Sequence, residues 1–187
     1  MRDIKEILEK YKNFDYTKEL NNRIMNSKRK EFSRGGLMYA LGIHHPSLID
    51  NFIITNCNFG KKIKYPRKSP DFTYYFDEND KLVLVDKKDT SVSFILYESN
   101  IMRVLIFEDL KSSPKIVACY ECIYDELSRI IYFLEMSGGY NLEHFYSYAN
   151  LDKVEVEERI TTIYRLNNPK IRKHYVPMND FIKIMHK

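Results

Sequence analysis

The sequence predicts an α+β fold: N-terminal helices packed on a repeated antiparallel β-meander of roughly eight to ten strands. Three observations predict it. The hydrophobic period changes from a helical one to a period of two near residue 71. The apolar runs beyond that point are joined by short polar turns, which makes consecutive strands antiparallel neighbours. The chain also carries 15 Tyr and 11 Phe against 6 Gly and 6 Pro, and aromatic side chains pack well on a pleated surface.

The elements follow in order. Ile4, Ile7, Leu8, Tyr11 and Phe14 form one helical stripe, with Asp3 as its cap and Glu6 and Glu9 near its positive end. A second helix is expected after Asp15, on Tyr16, Leu20 and Ile24, running into the polar SKRKE segment and ending at Gly35-Gly36. Residues 37–70 suggest a hairpin around Asn58-Phe59-Gly60 and a proline-bearing connector from Tyr65 to Pro70. Strands are expected at 72–76, 82–86, 92–97, 101–107, 115–124, 129–135, 142–149, 153–166 and 170–176, with turns near 78–80, 98–100, 126–128 and 150–152. The chain thus divides into a basic helical segment and connector, residues 1–70, and a meander, residues 71–187, as one compact unit. Several strands are apolar on both faces, so the sheet should be covered by the helices or curled on itself.

Of the 187 residues, 1–70 hold 15 Lys and Arg against 7 Asp and Glu, a net of +8, while 71–187 hold 15 against 19, a net of −4. Attraction between the two parts of one fold accounts for this asymmetry, and a basic face for an acidic protein or a nucleic acid is the sharper reading. The N-terminus shows no apolar signal region, and no run reaches the roughly 18 apolar residues of a membrane span. Three scattered cysteines fit a reducing compartment, so a cytoplasmic protein without membrane attachment is expected.

An internal repeat underlies the meander. Phe76-Asp77-Glu78-Asn79-Asp80-Lys81-Leu82-Val83, Tyr124-Asp125-Glu126-Leu127-Ser128-Arg129-Ile130-Ile131 and Tyr148-Ala149-Asn150-Leu151-Asp152-Lys153-Val154-Glu155 align without gaps, and Tyr97-Glu98-Ser99-Asn100 is a weaker fourth. Each is an aromatic strand end, a polar turn, a basic residue and an aliphatic strand. The unit resembles the YD repeat of Rhs proteins, with Asp80, Ser128 and Asp152 where that repeat has glycine. This resemblance implies a bacterial β-meander protein of the toxin–immunity kind, with a toxin as partner.

Four groups of residues could carry function. Pro70-Asp71 followed by Asp86-Lys87-Lys88 resembles the PD-(D/E)xK nuclease signature, in which two carboxylates hold a divalent metal and a lysine orients water. Asp71 and Asp86 also suit strand ends, and strands rather than flanking helices follow, so a nuclease ranks second to binding. Cys119-Tyr120-Glu121-Cys122 is a lone CxxC whose thiols face opposite sides of a strand, which suits core packing. His44-His45-Pro46 reads as a loop. Tyr140, His144, Tyr146 and Tyr148 form a row on one strand face, either a core layer or a partner-binding platform. The reading is therefore a non-enzymatic protein-binding module without cofactor or metal, of the immunity type, with a metal-dependent nuclease built on Asp71, Asp86 and Lys88 as its alternative and a component of a larger assembly as a third.

Overall fold

The computed structural model describes residues 4–36, 60–64, 70–108, 110–150, 152–162 and 169–178. Helices α1 (Ile4–Lys10) and α2 (Tyr16–Asn26) precede strands β1 (Arg29–Arg34), β2 (Lys61–Lys62), β3 (Phe72–Phe76), β4 (Leu82–Lys87), β5 (Ser91–Glu98), β6 (Ile101–Glu108), β7 (Lys115–Tyr124), β8 (Ile130–Ser137), β9 (Tyr140–Ser147), β10 (Lys153–Thr162) and β11 (Lys170–Pro177). All eleven form one sheet, ordered β11-β10-β9-β8-β7-β6-β5-β4-β3-β1-β2, and every pairing is antiparallel.

From β3 to β11 the meander runs as the period of two predicts. The count exceeds the expected range because of β1 and β2. The SKRKE run was expected to close the second helix, yet α2 stops at Asn26 and Arg29–Arg34 pairs with β3 in the register Arg29↔Phe76 to Ser33↔Phe72. The local sequence permits this: alternation in RKEFSR buries Glu31 and Ser33, and the Ser33 hydroxyl lies 3.0 Å from that of Tyr74. β2 meets β1 at Ser33↔Lys62 and Arg34↔Lys61; the other half of the expected hairpin lies outside the described residues. The Asp15 carboxylate caps α2 by accepting from the Lys18 amide at 2.9 Å.

The sheet separates two apolar clusters. The outer one holds Tyr75, Leu84, Phe94, Leu105, Phe107, Cys119, Leu134 and Met136 beneath the helices, which contribute Ile7, Tyr11, Phe14, Tyr16, Leu20 and Ile24. Phe14 stacks on Phe107 at 5.4 Å and meets Phe94 edge-on at 5.0 Å. The inner cluster spans the width of the sheet, from Phe72 and Tyr74 through Val104, Cys122 and Phe133 to Val154 and Val176. No described helix packs on this inner face, yet Tyr74 and Phe133 are 0% exposed.

The repeat has a physical basis. In two turns the aspartate organises the loop identically: Asp77 Oδ1 accepts from the Asn79 and Lys81 amides, and Asp125 Oδ1 from the Leu127 and Arg129 amides. Asp80 and Ser128 take positive φ, 60° and 59°, the conformation for which glycine is the usual choice. A β-bulge follows each turn, because Phe76↔Leu82 gives way to Tyr75↔Leu84 and Tyr124↔Ile130 to Ile123↔Tyr132. The next strand but one closes the unit. The Tyr97 hydroxyl donates to the Leu82 carbonyl (3.0 Å) under Lys81, and the Tyr148 hydroxyl to the Ile130 carbonyl (2.7 Å) under Arg129.

Candidate functional site

Strand alternation decides which side chains reach solvent on β9. Leu142, His144 and Tyr146 point to the inner face, where His144 is 0% and Tyr146 7% exposed. Tyr140 and Tyr148 are half-buried against the same cluster. The aromatic row is thus brought together, on the core side of the sheet. The other face of β9 presents Glu143, Phe145 and Ser147.

A charged group sits within the inner face of β9–β11. Glu158 lies opposite His144 on one side and Arg172 on the other. Its carboxylate is 3.6 Å from His144 Nε2, 3.5 Å from Arg172 and 3.8 Å from His174 Nε2. Tyr146 Oη lies 3.4 Å from His144 Nδ1, so the group extends from the core to the edge strand. The His144 imidazole, with His174 and Arg172 behind it, holds the Glu158 carboxyl below the usual carboxylate range. The apolar period of the 153–160 segment marked these positions, and Glu158 is the charge that breaks it.

The outer face changes character at β8. The helix-covered cluster runs from Tyr75 of β3 to Leu134 and Met136 of β8; beyond β8 the surface is open and mixed. Tyr132 meets Phe145 at 5.1 Å and donates to Glu143. The Arg159 guanidinium lies 4.5 Å above the Phe145 ring and pairs with Glu157 at 2.7 Å. On β11, Ile171 is 55% and Tyr175 54% exposed, with Lys153 4.3 Å over the Tyr175 ring. A shallow groove of ≈ 270 Å³ runs among Phe145, Ser147, Glu155, Glu157 and Arg159. Sequence reasoning missed these residues; the signal was the polar parity of β9 and β10, which puts Glu143, Ser147, Glu155 and Glu157 on the solvent side.

The nuclease-like residues lie at the opposite end of the sheet. The bulge at Val83 shifts the register by one, so Asp71 faces Lys88, whose amide donates to the Asp71 carbonyl at 3.0 Å. Asp71 Oδ2 accepts from the Gly35 amide at 2.7 Å. Asp86 opens into a cleft of ≈ 620 Å³ between α2 and the β4–β5 turn, where burial and neighbouring Asp89 raise its carboxyl. Among the described residues no three His, Cys, Asp or Glu side chains are grouped to hold a metal ion. Cys119 and Cys122 are buried on opposite faces, and burial pushes the Cys119 thiol up to about 12. His44, His45 and Cys57 lie outside the described residues.

A second cleft, of ≈ 510 Å³, occurs where the β4–β5 ladder opens. Pairing stops at Leu84↔Phe94, and Arg23 of α2 occupies the gap, donating to the carbonyls of Val83 (2.5 Å) and Ile95 (2.8 Å). This side chain plugs the bulge and ties the helix layer to the sheet. No described helix is long and apolar enough to cross a membrane. No protein-family model, curated protein or solved structure matches the chain.

Proposed function

We propose that this chain is a non-enzymatic protein-binding module that presents the outer face of β9–β11 to a protein partner. One observation carries the reading: the apolar cluster beneath the helices ends at β8, leaving a surface on which Phe145, Ile171 and Tyr175 alternate with the paired charges of Arg159, Glu157, Glu155 and Lys173. Aromatic residues and arginine on a preformed sheet are the side chains that dominate protein interfaces, and they lose little freedom on binding. The YD-repeat resemblance supplies the partner class, a secreted bacterial toxin neutralised by this chain as its immunity protein.

Co-expression with a candidate secreted toxin should restore the growth that the toxin alone arrests. Ile171→Asp and Tyr175→Ala should each lose that protection while melting as the parent does, since both side chains are more than half exposed. Full protection by both variants would place the binding surface elsewhere.

A further inference from the structure

The last strand of the sheet has an open side. β11 ends the strand order, and among the described residues no strand pairs with its far edge. Seven of its eight residues are at least partly exposed, only Val176 being buried. Such an edge is a ready template for an added strand unless its chemistry forbids it.

That chemistry is selective. β11 carries Lys170, Arg172, Lys173 and His174 and no carboxylate. Its strand partner, β10, meets it with Glu155, Glu157 and Glu158: Lys173 pairs with Glu155 at 3.0 Å and Arg172 with Glu158 at 3.5 Å. β10 thereby displays the kind of strand that β11 accepts. A second copy of β11 would set lysine and arginine against lysine and arginine, and like charges directly opposed destabilise a strand pair. The same lysines that repel basic or identical edges favour an acidic one.

We propose that the free edge of β11 is a strand-addition site for an extended acidic segment of a partner protein. The proposal deepens the protein-binding reading and rests on it. Backbone hydrogen bonds supply affinity, and carboxylates at alternate positions all emerge on one face, where they reach Lys170 and Arg172 on the inner side. Ile171 and Tyr175 give the incoming strand an apolar shelf on the outer face. Pro177, which has no N–H to donate, bounds the site at residue 176.

The test titrates the full chain with a capped peptide alternating glutamate with valine and threonine, followed by amide chemical shifts and hydrogen exchange. Saturable binding that protects the amides of residues 170–176 is expected. Affinity should fall at least ten-fold when lysine replaces the glutamates, and at least ten-fold when alternate peptide nitrogens are methylated, which keeps the charge and removes the ladder. Equal binding of the methylated peptide would overturn the proposal, because charge alone would then suffice. So would protection confined to the basic N-terminal strands, displacement by a short oligonucleotide that protects the same amides more strongly, or dimers of the chain held through β11. Loss of toxin protection in Ile171→Asp, while the parent chain binds no peptide, would remove the edge site and leave the outer-face reading standing.

Discussion

Tyr146 and Glu158 occupy neighbouring strands of one buried layer and fail in different ways when changed. Tyr146 is 7% exposed in the inner cluster, so Tyr146→Ala should cost about 3–5 kcal/mol of stability, as large aromatic truncations in cores do; denaturant midpoints measure it. Glu158 is the carboxylate on which His144, His174 and Arg172 converge. Its titration is held low in the folded state, so its contribution is fully present above the ordinary carboxylate range and is lost as pH falls through the lowered value. Glu158→Gln should destabilise the fold at neutral pH, because it takes the carboxylate away from the Arg172 guanidinium. It should also flatten the loss of stability between about pH 6 and pH 3. A variant whose urea midpoint follows the parent's across that range would show that the acid sensitivity lies elsewhere. Asp71→Ala combined with Asp86→Ala should leave partner binding intact; metal-dependent cleavage of DNA or RNA by the parent, abolished in that variant, would promote the nuclease reading instead.

At the scale of elements, the turns carry the specificity of the meander. Asp125→Ala removes the acceptor for the Leu127 and Arg129 amides and should lower the melting temperature. Ser128→Gly relieves a positive φ of 59° and should stabilise by about 0.5 kcal/mol, the left-handed cost less the extra chain entropy of glycine. Thermal melting of the two variants in opposite directions is the expected result. These turns were legible in the sequence because their chemistry is local: an aromatic, an aspartate that bonds its own loop, a basic residue and an aliphatic strand. The aromatic–carbonyl closure from Tyr97 to Leu82 and from Tyr148 to Ile130 was not legible, since it joins strands separated by a bulge. The bulge at Val83, which sets Asp71 opposite Lys88, was not legible either. β1 was hidden because Arg29–Arg34 has too little apolar content to reveal its period. The face of β9 open to a partner was hidden because both of its faces carry aromatics, and only the neighbouring strands decide which one is covered.

For the whole molecule, the arrangement of layers sets where stability concentrates. β5 to β8 are flanked by strands on both sides and lie in the region where the two apolar clusters overlap; β11 and β2 end the sheet. Native-state hydrogen exchange should therefore be slowest in β5–β8 and quicken toward both edges. Uniform protection across the sheet would contradict this. Strand order follows chain order from β3 to β11 without a crossover, so each strand from β4 to β10 pairs with the strands made just before and just after it. Such a sheet can assemble in the direction of synthesis. Each hairpin can close as its second strand leaves the ribosome, onto an edge already in place, and no strand waits for a distant partner. The helices come first and gain their full apolar platform only once β3 to β8 have followed. A growing chain released early would then leave a shorter sheet with an open edge rather than an unpaired one.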